Sequence, residues 1–346
     1  MAAPVHSVSF AFPGGALRVD SDDPEPVARL RTVYRAFPPP ATPPAEPDLR
    51  LVDAGRGRLR LHAEGAPPGV ALSVDDLLPT LERTIHRLLV ERLGVAGGNR
   101  LAPSAKTPSE TPAGKWLAPS ETPAGNRLAP VETHVAEGET RWLAPCYAVL
   151  SPRSWPLALH AAAVERHGRA WLLPAASGRG KTTLAAALAV AGCGYLGDEL
   201  TFLAGDGAGR LLAVPFPKAP SLKPGSLPLF AHLGPVATGG GEAHLDPERL
   251  RAGCTVTAPL PVGGVLVPCF EAGAGAGRLE QLSAGATLLA LVGSAADLPH
   301  RPRRGKLAAF GCLGDLAAAV TGRRLTYGDA FAAARRLLEV DPWPSG

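Results

Sequence analysis

Ala175-Ala176-Ser177-Gly178-Arg179-Gly180-Lys181-Thr182 is the stretch whose reading decides the fold. An apolar run, Ala170-Trp171-Leu172-Leu173, leads into it with the composition of a buried strand. Thr183-Leu184-Ala185-Ala186-Ala187-Leu188 continues from it as an alanine- and leucine-rich helix. Glycines at 178 and 180 let the backbone turn tightly enough for successive N–H groups to converge on phosphate oxygens. In that arrangement the Lys181 ammonium is a point charge near the β- and γ-phosphates, and the Thr182 hydroxyl reaches Mg2+. Ser177, Gly178, Arg179, Gly180, Lys181, Thr182 and Thr183 are therefore the candidate nucleotide-binding residues. Ala175 stands where the usual motif has its first glycine. That position opens the loop rather than closing on the phosphate, so binding is expected to survive the change.

Downstream, a helix of about ten residues rises roughly 15 Å away from the loop at 1.5 Å per residue. Gly192 and Gly194 turn the chain, and Tyr195-Leu196 brings it back as a short strand to Gly197-Asp198-Glu199. The acid pair is thus expected at the same sheet edge as the glycine loop. Carboxylates there can hold Mg2+ or accept a proton from an attacking hydroxyl. An acid pair of an ordinary ATPase, or a solvated turn, is the plainer reading. Upstream, His160 opens a strand region, Leu157–Val164, which is followed by the turn His167-Gly168 and the strand Arg169–Pro174. A structural histidine is the alternative at 160, and His167 is expected to be exposed.

These residues together resemble the catalytic domain of the HPr kinase/phosphorylase family. They are most similar to its relatives, the HPr-kinase-related serine kinases associated with modified ribosomal peptides. The resemblance is specific over 157–204 and looser over 205–340. It implies a P-loop kinase domain of the HPr kinase and phosphoenolpyruvate-carboxykinase-like α/β type, with phosphate passing from ATP to a serine hydroxyl. By matching positions, Asp198 becomes the general base, Glu199 its acidic neighbour and His160 a side chain beside that base. Lys181 and Thr182 hold phosphate, and Thr182 and Asp198 serve Mg2+. The related kinases carry a stretch similar to Pro215-Phe216-Pro217-Lys218-Ala219-Pro220-Ser221-Leu222-Lys223, which makes Lys223 and then Lys218 candidate substrate- or phosphate-binding residues. Prolines lower the entropy cost of holding such a loop, and a rigid surface loop is the plainer alternative. The acidic metal-binding loop and arginine-glycine stretch of the bifunctional enzyme have no counterpart here, which argues against phosphorylase activity and against HPr as substrate.

Composition bounds the rest. The 346 residues are 46% hydrophobic and 19% charged, enough to bury a core, and the net charge of +4 gives no reason to invoke nucleic acid. Gly 40 and Pro 37 bring the chain just under the roughly 25–30% that marks low complexity. Over 96–141 Leu-Ala-Pro and Glu-Thr-Pro-Ala-Gly recur at unequal intervals, so a Pro-rich, repetitive, flexible insertion is expected. Five scattered cysteines, never in a Cys-x-x-Cys pair, fit neither a disulfide framework nor a zinc site. With no signal-like start and no membrane-spanning run, a cytoplasmic protein is expected. The basic cluster His300-Arg301-Pro302-Arg303-Arg304-Gly305-Lys306 reads as a solvated loop.

Residues 1–95 read as a smaller α+β section that recognises a substrate or partner, and 142–346 as the kinase domain. Val5–Phe12 alternates like a strand, and Asp22-Asp23-Pro24 starts a helix with Val27, Leu30, Val33 and Tyr34 on one stripe. Strands follow at Leu49–Val52 and Arg58–Ala63, then a helix over Asp75–Leu93 begun by a capping-box-like Ser73 and Asp76. The expectation from sequence is an ATP-dependent kinase acting on a hydroxyl, serine for preference, of a peptide or small protein. A nucleotide-driven switch or ATPase acting on a partner, and a small-molecule hydroxyl kinase, are the alternatives. A peptide-carrying chaperone and a homo-oligomer stay open as partners.

Overall fold

A computed structural model describes residues 5–12, 15–63, 69, 71–99, 157–206, 210–234, 237–239, 241–301 and 303–340. The repetitive segment expected over 96–141 lies outside the described residues from residue 100 onward. The chain is a mixed α/β protein.

The first sheet has five strands in the order β1 (His6–Phe12), β2 (Gly15–Ser21), β3 (Leu49–Asp53), β4 (Arg58–Ala63) and β5 (Ala71–Ser73). Alternation buries Phe10, Phe12, Leu17, Val19, Leu49, Leu51, Leu59 and Leu61 on one face. Strands β2 and β3 run parallel, and α1 (Pro24–Val33) crosses between them. The Asp23 carboxylate caps α1 by accepting from the Glu25 amide, as the Asp-Asp-Pro start predicts. Ser73 and Asp76 bond reciprocally at the start of α2 (Val74–Asn99), and Leu77, Leu78, Leu81, Ile85 and Leu89 of that helix are buried. Strand β2 is not among the strands expected from sequence, although Leu17 and Val19 alternate, because Pro13-Gly14-Gly15 has the composition of a turn and overlaps its first residue.

The second sheet has nine strands. Seven form the path β6 (Leu157–Leu159), β10 (Thr201–Gly205), β11 (Leu211–Val214), β15 (Leu260–Phe270), β8 (Arg169–Pro174), β7 (Ala161–Arg166) and β9 (Gly194–Gly197). Strand β17 (Thr321–Tyr327) pairs with β15 and with β16 (Arg278–Leu282). A small third sheet joins β12 (Ser221–Leu222), β14 (Glu242–His244) and β13 (Ala237–Gly239). Strands β8, β15 and β17 are parallel. Because β7 is antiparallel to both β8 and β9, those two also run the same way and end at one edge. The single strand expected over Leu157–Val164 is two strands, since the chain changes neighbours at His160.

Helices cover both faces. On one side α3 (Lys181–Ala191) and α8 (Ala330–Val340) pack against Trp171, Leu173 and Tyr327. On the other, α6 (Ala284–Ser294) and α7 (Arg303–Ala319) pack against Leu172, Leu196 and Val265. The short helices α4 (Leu227–Phe230) and α5 (Pro247–Leu250) flank the third sheet. The expected basic loop is partly helical: α7 begins at Arg303, and Arg301 is buried, its Nε donating to Asp297 Oδ2 at 2.8 Å. No helix among the described residues is long and apolar enough to cross a membrane.

The two sheets share a core. Ala158, Phe202, Ala204, Val214, Phe216 and Ala219 pack into the same cluster as the rings and aliphatics of residues 8–90. This seam brings α2 up to the edge at which β8 and β9 end.

Candidate functional site

Strand β8 ends at Pro174, the chain loops through 175–180, and α3 begins at Lys181, the boundaries expected from sequence. Gly178 and Gly180 take φ of 82° and 86°, the left-handed region that a side chain resists. At Gly180 space agrees with backbone. Tyr327 Oη donates to the Gly180 carbonyl at 2.9 Å, and a Cβ on Gly180 would collide with Tyr327 Oη. No side chain caps α3, and its first turn carries no acidic residue, so its amides and the positive end of its dipole are left for a ligand. Ser177, Gly178 and Arg179 are exposed around this opening.

Lys181 is almost buried and points at His160, with Nζ 3.0 Å from Nε2. Burial, and secondarily Lys223, lowers the Lys181 pKa against the pull of Asp198 and Glu199. Burial and then Lys181 lower the pKa of His160, which also hydrogen-bonds the backbone of Glu199. A neutral imidazole accepting from the ammonium satisfies both groups. His160 therefore lies between Lys181 and Glu199. Thr183 Oγ1 and Ser226 Oγ are 2.7 Å apart, tying α3 to the loop before α4. The exposed Lys223 donates to Ser177 Oγ at 3.1 Å and so spans the glycine loop.

Strand β9 delivers Asp198 and Glu199 to the same edge. At Gly197 a Cβ would lie 2.6 Å from the Phe216 carbonyl, so glycine is what lets the 215–218 segment press against the strand. Asp198 is 2% exposed; its Oδ2 accepts from the Ser221 amide at 3.3 Å, and the Thr182 hydroxyl lies beside its carboxylate. Oδ1 has no hydrogen-bond partner among the described residues. Burial raises the Asp198 pKa, Lys218 only partly opposing it. Burial acts in the same direction on Glu199, but there Lys218 at 3.2 Å outweighs it and, with His86 at 3.5 Å, holds the carboxylate well below its ordinary range. The neighbours are thus driven apart, one toward proton uptake and one toward permanent charge.

Lys218 is not where the sequence put it. A substrate- or phosphate-binding side chain in a loop was expected; the side chain has no exposure and lies beneath the acid pair. Its Nζ donates to Glu82 Oε2 at 3.3 Å and stands 3.8 Å from Asp198 Oδ1. Burial would strip its proton, but Asp198, Glu82 and Glu199 reverse that and raise its pKa well above normal. The physical reason for the difference is that residues 213–220 are all buried, so the Pro-rich stretch is a strap under the site. Only from Lys223 does it face solvent.

Sequence reasoning missed the contribution of α2. Glu82 and His86 lie one turn apart on the face that also carries Leu78, Leu81, Ile85 and Leu89, and both are buried. Glu82 Oε1 is 2.6 Å from His244 Nε2, and Lys218 holds the Glu82 pKa down to about 2 despite burial. An acid and a histidine set inside an apolar stripe were the available signal.

A cleft of about 710 Å3 opens over these groups. The glycine loop and Lys181, the acid pair, Glu82 and Arg83 of α2, and Phe270 beside Tyr327 line it. Among the described residues no three His, Cys, Asp or Glu side chains cluster to cage a metal. Asp198 Oδ1, which accepts no hydrogen bond among the described residues, nonetheless fits, with Thr182 beside it, a cation of the Mg2+ kind, which keeps waters and takes one or two protein ligands plus substrate phosphates.

No family model matches the chain, and no curated protein does. Among solved structures the chain is similar to the Hpr(Ser) kinase/phosphatase from Coxiella burnetii, with 11% identity and a TM-score of 0.27, over 53% of this chain and 98% of that one. So loose a likeness adds nothing to the geometry above, and the site stands on its own residues.

Proposed function

We propose that the protein is an ATP-dependent kinase that transfers the γ-phosphoryl group to a hydroxyl, serine for preference, of a peptide or small protein. The observation that carries this reading is the buried acid pair, one member with a raised pKa, facing Lys181 and Thr182 across a single cleft. The amides of the loop and of the α3 N-terminus receive the phosphates, and Gly178 and Gly180 permit that approach. Lys181, held in place by His160, neutralises charge on the transferring group, while Lys223 closes the outer side of the loop. Thr182 and Asp198 are the residues that would hold Mg2+, which supplies neutralisation of phosphate oxygens when bound.

Asp198 takes the proton of the attacking hydroxyl, a task suited to a carboxylate whose pKa burial has moved upward. Glu199 stays ionised and keeps Lys218 charged beneath the site. Transfer then rests on positioning and electrostatics. Pro79, Glu82 and Arg83 line the cleft, so an acceptor bound in it would meet α2 as well as the acid pair.

The test is transfer of label from γ-labelled ATP to a library of serine-containing peptides, read against ATP turnover with no peptide present. Incorporation into serine that disappears in Asp198→Asn supports a kinase. ATP turnover of equal rate with and without peptides, and no incorporation, replaces it with a nucleotide-driven switch.

A further inference from the structure

The three parallel strands β8, β15 and β17 end at one edge but at different heights. Val265 of β15 pairs with Leu172 of β8. Continuing that register, Phe270 lies three residues beyond Pro174, about 10 Å at 3.3 Å per residue. Its partner in β17 is Tyr327. Both rings therefore rise to the level of the glycine loop rather than staying under it. A Cβ built on Gly180 would lie 3.4 Å from the Phe270 Cβ.

The two aromatics differ in what they have left to offer. Tyr327 is fully buried, and its hydroxyl is used on the Gly180 carbonyl. Phe270 packs its ring edge against Tyr327, centroids 5.9 Å apart at 75°, yet remains 48% exposed and lines the cleft. A large ring held by a neighbour and half open to solvent is a formed surface for a flat apolar ligand, with little further entropy to lose on binding. Leu229, 44% exposed, lines the same cleft.

Topology gives the occupant. Strand β8 lies between β15 on one side and β7 and then β9 on the other. Asp198 and Glu199 follow β9, so the acids flank the loop on one side and Phe270 flanks it on the opposite side. A nucleotide whose terminal phosphate meets the acids must run its sugar and base toward β15.

We propose that Phe270 is the platform on which the purine ring of the bound nucleotide stacks. This rests on the nucleotide reading above, and the test separates the two. Affinities for ATP and for inorganic tripolyphosphate are measured with Mg2+ for the wild type and for Phe270→Ala, Phe270→Trp and Lys181→Ala, with melting temperatures as a control on folding. Phe270→Ala is expected to weaken ATP by about 5- to 150-fold, the usual worth of a base–aromatic stack, while tripolyphosphate binding holds within about twofold. Phe270→Trp restores ATP affinity. If Phe270→Ala leaves ATP unchanged while Lys181→Ala weakens both ligands, the platform is wrong and the nucleotide site stands. Equal weakening of both ligands by Phe270→Ala also overturns the platform, because Phe270 then shapes the loop. Failure of the wild type to bind either ligand overturns the nucleotide reading and the platform with it.

Discussion

The two sheets bury their faces with different material. The N-terminal sheet closes around rings: Phe12, Tyr34 and Phe37 gather about Phe216, Phe10 packs against Phe12 and Tyr34, and Phe37 and Phe216 have centroids 4.8 Å apart. The larger sheet is lined with alanine. Ala161, Ala162 and Ala163 of β7 and Ala185, Ala186, Ala187 and Ala189 of α3 have no exposure at all. Rings contribute large apolar area per residue, and a core built from them gains stability first. Small side chains contribute less area but let a helix lie close to its sheet, which fixes where the first turn of that helix ends up. The part that must hold Lys181 in place is packed for precision, and the part beside it for stability. The charges, Lys218 with Glu82, Asp198 and Glu199, are collected where the two meet.

The comparison breaks most visibly at the acid pair. Asp198→Asn keeps the size of the carboxylate but cannot accept a proton, so transfer should fall by about 10²–10⁴ with ATP affinity within a few-fold of wild type. Glu199→Gln should be milder, and the opposite ranking would move the base to Glu199. Lys181→Ala should lower transfer by about 10²–10³ and weaken ATP binding, without lowering the melting temperature, because the ammonium it removes is desolvated. Unaltered ATP affinity in that variant would sink the nucleotide assignment.

Phe216→Ala tests the ring-packed side. Phe216 belongs by sequence to the second half of the chain but is buried among rings of the first, and its loss should cost about 3–5 kcal/mol in chemical denaturation. A loss under about 1 kcal/mol would mean that the two cores are independent. Glu82→Gln sharpens the seam by removing one of the carboxylates around a buried ammonium, at about 3 kcal/mol near neutral pH. The folded-state pKa of Glu82, about 2, lies below its ordinary 4.5. Its contribution is thus complete above pH 4.5 and lost as pH falls toward 2, so the gap between wild type and Glu82→Gln should narrow over that window. A gap that stayed constant down to pH 2 would separate Glu82 from Lys218. The smallest effect is on the pH profile of transfer. Since Asp198 must be ionised to act and burial raises its pKa, the acid limb should lie above the ordinary aspartate range, and Asp198→Asn should remove that limb.

The local elements were legible because their causes are local. The α3 helix, its glycine loop and the caps of α1 and α2 follow from residues within a few positions of each other, and the structure places them at the expected boundaries. The return of Asp198 and Glu199 to the loop edge also followed, since a helix and a return strand have fixed lengths. What no local pattern contains is which strand lies beside which. The order β15-β8-β7-β9 puts Phe270 and the acids on opposite flanks of the loop, and it is set by long-range pairing. Lys218 shows the same limit from the other direction. In the sequence it is one of two lysines in a Pro-rich loop, and lysine belongs in water unless paired. Only a tertiary structure that brings Glu82 from α2 and Asp198 and Glu199 from the end of β9 around one ammonium makes its full burial affordable, because the attraction of three carboxylates offsets the loss of hydration.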